Sequence, residues 1–263
     1  MTGLVFNEVA ELYDRVRPGY PDRLFDDLVA ITGLRPGSPV LESGCGTGQA
    51  TRSLVGRGLA VTAVEPGAQL AAVARRKAAA TVVNSTFEEW DDQGVRFDAV
   101  VAASSWHWVD PAIGWRRAYE VLRPGGWIAL LDNIVVARAG EPEVYAETAD
   151  LHERFAPGNP AWGHPPREDD VEVATLDAPA GLFGPAVIRS YPTVQWFDGA
   201  GFADHLRSLS LYRTLPAEIR EPLAAAVADR IRTRLGDRAA RRYLTTLRLA
   251  RRADGGADLR TSA

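Results

Sequence analysis

The feature that most constrains the fold is a turn with three alternate glycines, Gly44, Gly46 and Gly48. An apolar run ending at residue 41 predicts a buried strand before it, and the pattern over residues 49–57 predicts a helix after it. Glycine lets the backbone turn sharply and approach a ligand closely, and free N–H groups at a helix start attract anions. A tight strand-to-helix turn without a ligand is the alternative.

Strands and helices keep alternating after this turn. Apolar runs at 59–64, 81–83, 97–103 and 127–131 predict strands, and patterns at 68–80 and 112–122 predict helices. This alternation indicates βαβ units and hence a parallel sheet over residues 38–133.

The glycine spacing and an acidic residue together indicate a nucleoside-bearing cofactor. The spacing G-x-G-x-G differs from the dinucleotide fingerprint, whose third glycine comes one residue later. Glu65 ends the second predicted strand, where a carboxylate accepts hydrogen bonds from both ribose hydroxyls. A helix N-cap ahead of Pro66 is the other interpretation of Glu65.

Length and charge set the broad class. The 263 residues suit one large domain, or one domain with a smaller cap. The net charge of −4 argues against a nucleic-acid partner, and the arginine-rich stretch 230–252 alternates with apolar residues as a solvated face does. The single cysteine excludes a disulfide framework. Without a signal core or an apolar run of about 20 residues, we expect a cytoplasmic protein that contacts no membrane.

The two ends of the core differ from it. Residues 4–34 predict one or two helices, broken at 17–21. Residues 137–185 lose the alternation and gather Pro, Gly, Trp and charge, which is typical of a functional lid. A surface excursion is the alternative. Strand-like runs return at 187–194 and 243–250, with a helical stretch at 216–235 between them.

Four segments resemble the class I S-adenosylmethionine-dependent methyltransferases of the type 11-like group: 40–48, 64–66, 97–101 and 121–126. The string from Ser105 to Pro111 resembles a bacterial small-molecule subgroup related to trans-aconitate methyltransferase. The resemblance implies an α/β, Rossmann-like, doubly wound sheet of seven mostly parallel strands, the last two forming a hairpin with one antiparallel strand. It implies one domain over 1–263, with cofactor-covering helices at 4–34, a cofactor-binding core at 38–133 and a substrate cap at 137–185.

The resemblance also implies the residues that hold S-adenosylmethionine and its product S-adenosylhomocysteine. Glu42 lies along the methionine moiety, Glu65 binds the ribose and Ser104 lies near the sulfonium. Arg17 pairs with the cofactor carboxylate, unless it forms a surface salt bridge. The full implied set is Tyr13, Arg17, Glu42, Gly44, Cys45, Gly46, Gly48, Glu65, Pro66, Thr86, Phe87, Glu88 and Ser104.

His107 is the candidate catalytic base. It follows the fourth predicted strand, at the carboxyl edge where open α/β sheets bind ligands, and histidine titrates near neutral pH. The alternative is a structural histidine packed between its two tryptophan neighbours. The predicted substrate-binding residues are Tyr20, Trp106, Trp108 and His164.

Asp132 and Asn133 end the fifth predicted strand, where the metal-dependent catechol-type enzymes carry an Asp-Asn pair. Asp110 is the nearest further ligand for a hard cation. The rest of the chain does not resemble that subgroup, so we expect no metal.

The function that we expect is methyl transfer from S-adenosylmethionine to the oxygen, nitrogen or carbon of a small molecule, in secondary metabolism. A cyclase or decarboxylase that binds the same cofactor without methylating is the alternative, because function resides in the site rather than the fold. A nicotinamide-dependent oxidoreductase and a non-catalytic binding module are further hypotheses, and the glycine spacing argues against the first. We expect a monomer or homodimer whose partner is its small-molecule substrate.

Overall fold

The computed structural model describes residues 3–141, 144–159 and 163–254, with side chains described from Phe6 onward. Within these residues, seven strands form one sheet in the order β3-β2-β1-β4-β5-β7-β6. The strands are β1 (Pro39–Ser43), β2 (Ala60–Val64), β3 (Thr81–Val83), β4 (Phe97–Ala103), β5 (Leu122–Val136), β6 (Val187–Phe197) and β7 (Ala239–Arg251).

The predicted direction of the strands is confirmed. Strands β1 to β5 pair in parallel, and β7 pairs antiparallel with both β5 and β6. The last two strands pair antiparallel as predicted, and the chain between β6 and β7 forms helices, where the sequence predicts a helical stretch at 216–235. The helices of this long connection lie at the carboxyl edge of the sheet.

Helices cover both faces and one edge of the sheet. None of those described is long and apolar enough to cross a lipid bilayer. The helices are α1 (Ala10–Val16), α2 (Asp22–Thr32), α3 (Gln49–Val55), α4 (Ala68–Lys77), α5 (Pro111–Val121), α6 (Val144–Phe155), α7 (Gly199–Arg207), α8 (Ser210–Arg213) and α9 (Ala217–Arg234).

The central strands are apolar on both sides because each faces a helical layer. Ala99 and Leu131 belong to the core cluster that packs against α2 and α3. Val100 and Leu130, one residue away on each strand, belong to the opposite cluster with α5. This two-sided burial holds the carboxyl ends of the strands in fixed positions for the site.

A third apolar cluster forms the cap. Side chains of α6, α7 and α9 pack together with Phe197 at the end of β6 and Ala239 at the start of β7. Those two residues lie at the carboxyl edge of the parallel strands, so the helices stand over that edge. The predicted cap at 137–185 is divided: α6 joins this cluster, whereas Leu182 and Phe183 pack on the α5 face of the sheet.

The N-terminal segment lies across the same edge and is anchored at both ends. On one side, Asp14 of α1 pairs with Lys77 of α4 and lies 3.6 Å from the guanidinium of Arg52. On the other side, the Nε2 of Gln195 donates to the backbone oxygen of Val16 at 3.1 Å. These contacts hold residues 6–20 over the ends of the strands.

Candidate cofactor and acceptor cavity

A cavity of about 630 Å³ opens at the carboxyl edge, between the strand ends and the N-terminal segment. This volume falls within the usual range for small-molecule sites. The structure brings most of the predicted cofactor residues to its wall: Tyr13, Arg17, Glu42, Gly44, Cys45, Gly46, Glu65, Pro66, Thr86, Phe87, Glu88 and Ser104. Gly48 lies outside the lining, at the start of α3.

The glycine turn adopts the backbone that its sequence predicts. Gly44 and Gly46 have φ angles of 67° and 56°, in the left-handed region that favours glycine. A Cβ on Gly44 would lie 2.6 Å from the Cβ of Ser105, whose hydroxyl donates to the backbone oxygen of Ser43. The turn therefore needs glycine for its conformation and for its contact with the loop after β4.

Glu65 braces the turn with its carboxylate. One oxygen accepts from the N–H of Gly46 and the other from the N–H of Gly67, both at 2.8 Å. Burial raises the pKa of Glu65, while the two backbone donors oppose that rise. Each carboxylate oxygen has a further lone pair, so hydroxyl groups of a ligand find an acceptor that is already oriented.

Glu42 offers an acceptor without a partner. Its Oε2 accepts from the hydroxyl of Thr51 at 2.7 Å, whereas its buried Oε1 has no hydrogen-bond partner among the described residues. Burial raises the pKa of this carboxyl to about 7. An unsatisfied buried oxygen on a cavity wall favours a ligand that brings a cationic donor.

The loop after β3 forms the far wall. Phe87 is buried beside the cavity, with its ring 5.7 Å from that of Trp106. Thr86 accepts from the N–H of Glu89 through its hydroxyl, and Glu88 accepts from the N–H of Asp110 at 2.8 Å. These hydrogen bonds fix the loop and leave the Phe87 ring as a flat apolar surface for a ligand.

Ser104 lies after β4, between the part of the cavity beside the glycine turn and the part beside β5 and β7. It follows β4 with a φ of 53°, a conformation uncommon for a non-glycine residue. Its hydroxyl lies 2.8 Å from that of Tyr20, and burial raises the pKa of Tyr20 above its usual range. The strained backbone and the Tyr20 contact hold this hydroxyl toward the cavity.

His107 and its two tryptophan neighbours have different surroundings. His107 and Trp108 line the cavity and are exposed at its rim, with ring centroids 4.8 Å apart. Partial burial lowers the pKa of His107, and the charge of Asp132 opposes that shift. Trp106 lies outside the lining and packs on the rings of Phe87 and Trp115 in the core.

The side chains considered as metal ligands are bonded to other groups of the protein, although Asp110 and Asn133 line the cavity. Asp132 pairs with Arg248, and Asn133 accepts from the hydroxyl of Thr245 at 2.6 Å. No group of three His, Cys, Asp or Glu side chains that could hold a metal occurs in the part of the chain described. His164, in the insertion, lies outside the residues that line the cavity.

The sequence did not predict the wall opposite the glycine turn. It is formed by the ends of β5 and β7 and by the start of α8. The alternation along β7 was an available signal, because positions 241, 243, 245, 247 and 249 share one face, on which 243, 247 and 249 are aromatic or aliphatic. The unpredicted residues of this wall are Asn133, Val135, Ser210, Arg241 and Tyr243.

Comparison with known proteins finds methyltransferases. The profile of a family described as a methyltransferase domain matches residues 41–130. An uncharacterized methyltransferase of Mycobacterium bovis is 41% identical over 140 residues, which cover 52% of this chain and 55% of that protein. Another, from Geobacillus kaustophilus, is 28% identical and the match covers 68% of this chain and 85% of that protein. The chain thus matches about half the length of the mycobacterial relative.

Solved structures share the fold. A putative type II methyltransferase from Anaeromyxobacter dehalogenans aligns with a TM-score of 0.59 and 24% identity, over 89% of this chain and 97% of that one. The matched residues 41–130 contain the glycine turn, Glu65 and the strand-five turn. Over this core, residues 41–130, the chain is similar to the methyltransferase-domain family, which uses S-adenosylmethionine.

Proposed function

We propose that the protein transfers a methyl group from S-adenosylmethionine to a small-molecule acceptor, at oxygen, nitrogen or carbon. The observation that carries this proposal is the pair of buried carboxylates, Glu42 and Glu65, on the wall beside the glycine turn. Their oxygens would accept hydrogen bonds from the two donor groups of such a cofactor, the ammonium group and the ribose hydroxyls. The unpaired Oε1 of Glu42 in particular matches a ligand with an ammonium group.

The remaining cofactor contacts follow from the lining. Glu65 holds the ribose hydroxyls with the lone pairs that Gly46 and Gly67 leave free. The ring of Phe87 packs against the adenine. Arg17, whose buried Nε has no partner among the described residues, pairs with the carboxylate of the cofactor. Residues 4–34 cover the bound cofactor, and Asp14 and Lys77 hold that cover closed.

S-adenosylmethionine, when bound, would supply an electrophilic methyl group to the acceptor. The protein aligns the acceptor and excludes water. The Ser104 hydroxyl, oriented by Tyr20, hydrogen-bonds the acceptor at the junction of the two halves. Trp108 shields that junction from solvent at the rim of the cavity.

His107 takes the proton that a hydroxyl or amine acceptor loses. Its lowered pKa keeps the imidazole neutral at neutral pH, so a ring nitrogen is free to accept. Its place on the cavity wall, without a hydrogen bond from another described side chain, leaves the ring able to turn toward a substrate. The charge of Asp132 then stabilises the imidazolium that forms.

The direct test is turnover. The purified protein is incubated with S-adenosylmethionine carrying a radiolabelled methyl group and a library of phenols, amines, hydroxy acids and carbon acids, and labelled products are counted. We expect label transfer to at least one class, with S-adenosylhomocysteine formed in equal amount. If a folded protein binds the cofactor and converts a compound of the library without transferring label to it, a cyclase or decarboxylase replaces the proposal.

A further inference from the structure

The cavity contains a buried arginine that the cofactor contacts do not use. Arg241 lies near the start of β7, is 8% exposed and lines the wall opposite the glycine turn. Its Nε and Nη1 are buried and have no hydrogen-bond partner among the described residues. A buried charge without a counter-ion lowers stability, so a side chain of this kind indicates a ligand that supplies the missing charge.

Two tyrosine rings flank Arg241, and Arg17, which lines the same cavity, carries the same charge. The guanidinium carbon of Arg241 lies 5.7 Å from the ring centroids of both Tyr145 and Tyr243. The buried hydroxyl of Tyr243 also has no partner in the described part of the chain, and burial raises its pKa to about 12, so it remains a donor. His205 is buried nearby, and its pKa is lowered by burial and by the charges of Arg241 and Arg17.

The neighbouring arginines of β7 are paired. Arg242 hydrogen-bonds the carboxylate of Glu141, and Arg248 pairs with Asp132. No carboxylate of the described chain pairs with Arg241, although it lies on the same strand. The difference follows from strand alternation, because Arg241 faces the cavity with Tyr243 and not the outer face with Arg242.

We propose that Arg241, with the hydroxyl of Tyr243, binds an anionic group of the acceptor, a carboxylate or a phosphate. The inference deepens the proposed function, on which it rests, by giving the acceptor a chemical class. Arginine suits such groups because its planar guanidinium offers several parallel donors. A donor from Tyr243 adds to the same anion without adding charge.

The anion is an anchor rather than the atom that is methylated. Strand β5 lies between β4 and β7. The strand that carries Arg241, β7, is therefore about 10 Å from β4, the strand that Ser104 follows. Hydrogen bonds from a guanidinium also occupy the lone pairs that an attacking oxygen needs. The acceptor is therefore a molecule with an anionic end at Arg241 and a separate nucleophilic atom near Ser104 and His107.

The test uses simple anions on the full chain saturated with S-adenosylhomocysteine. Benzoate, inorganic phosphate and the uncharged analogue benzamide are titrated by calorimetry into wild type, Arg241→Met, Arg241→Lys and Arg238→Met. Arg238 is the matched control, because it lies on the exposed surface over the ring of Trp196. Methionine keeps the unbranched apolar part of the side chain and removes the charge.

We expect benzoate or phosphate, but not benzamide, to bind wild type and Arg238→Met equally. Arg241→Met should weaken that binding by about tenfold or more, as expected for loss of a charged hydrogen bond, and Arg241→Lys should restore part of it. Preference for benzoate identifies a carboxylate end, and preference for phosphate identifies a phosphate end. Equal anion binding in wild type and Arg241→Met, or none in wild type, overturns the inference.

Failure of the proposed function gives a different result. In that case S-adenosylhomocysteine does not bind. The same anion titrations on the protein without S-adenosylhomocysteine then still compare wild type with Arg241→Met. A second measurement is independent of any ligand. Urea unfolding should find Arg241→Met at least as stable as wild type, because the substitution removes an unpaired buried charge. A clear loss of stability would mean that Arg241 is a structural residue.

Discussion

The two halves of the cavity differ in how the chain builds them. The cofactor half comes almost entirely from one stretch, residues 42–110, in which each loop follows a parallel strand. The acceptor half combines the end of β5, the start of β7 and the start of α8 with Tyr20 of the N-terminal segment, which are far apart in sequence. In the proposed function, local motifs hold the cofactor, whereas contacts between segments far apart in sequence hold the acceptor.

The halves also differ in charge. The cofactor wall carries Glu42 and Glu65, and the opposite wall carries Arg241. Arg17 of the N-terminal segment donates to the backbone oxygen of Ser208 in the cap. A cavity with an acidic and a basic end orders two oppositely charged ligands in one direction. The predictions below test whether the two halves act as separate units.

The largest expected effect is on catalysis alone. His107→Asn should lower kcat for the acceptor found in the screen by about a hundredfold or more, the usual contribution of a general base. The dissociation constant of S-adenosylhomocysteine should not change. In wild type, kcat/KM should rise with pH through a value below 6.5, because the lowered pKa means that the free base forms there.

His164→Asn is the matched comparison for that experiment. His164 lies in the insertion, which the sequence predicts to close over the substrate, yet it is outside the cavity lining. We expect its kcat and KM to equal those of wild type. If the His164 variant loses activity and the His107 variant keeps it, the base and the lid have been assigned to the wrong residues.

The next effect is on the fold of the cofactor half. Gly44→Ala should lower the free energy of unfolding by about 3 kcal/mol, because alanine is strained at positive φ and its Cβ meets Ser105. Gly37→Ala, at a φ of 86° with open space around it, should cost only about 1 kcal/mol. Urea unfolding of both variants checks the difference. Equal losses would mean that the contact with Ser105 relaxes freely.

A smaller effect concerns the charge of Glu42. Its pKa is about 7 in the free protein, and a cationic ligand group beside it favours the ionised form. Cofactor binding at pH 7 should therefore release about half a proton, and almost none at pH 9. Calorimetry in buffers of different ionisation enthalpy measures the release. Glu42→Gln should abolish it and weaken binding by about tenfold, and a release that persists in this variant would come from another group.

The smallest effect is on the cover over the cofactor. Asp14→Asn removes the pairs with Lys77 and Arg52, and we expect cofactor affinity to fall by less than about fivefold, since partly exposed ion pairs contribute little. Arg76→Gln, which breaks the exposed pair with Glu11, should change affinity still less. Both effects should shrink at high salt. A large, salt-independent loss in Asp14→Asn would show that α1 is part of the cofactor site itself.

The sequence predicted which residues near the glycine turn would lie together, because their signals are local. The alternate glycines, the strand before them and Glu65 lie within one βαβ unit, where spacing alone determines which residues meet. The seven-stranded sheet with one reversed strand followed from the resemblance of the same core. Each of these features depends on residues close together in the chain.

The acceptor half could not be predicted in the same way. The predicted last strand began at residue 243, and the arginines before it were assigned to a solvated face. Burial of Arg241 depends on α6 and α7 packing over the strand edge, which no local pattern encodes. The insertion after β5 likewise has too few apolar residues to indicate that Leu182 and Phe183 would settle against α5.

The central claim is that the cavity binds S-adenosylmethionine through the carboxylates of the cofactor half. The most direct measurement is a calorimetric titration of S-adenosylmethionine and S-adenosylhomocysteine into wild type and Glu65→Gln, with Arg238→Met as the control. The account predicts micromolar binding to wild type and the control, weakened by about tenfold in Glu65→Gln. A folded wild-type protein that binds neither ligand, or a Glu65→Gln variant that binds both as tightly as wild type, would contradict it.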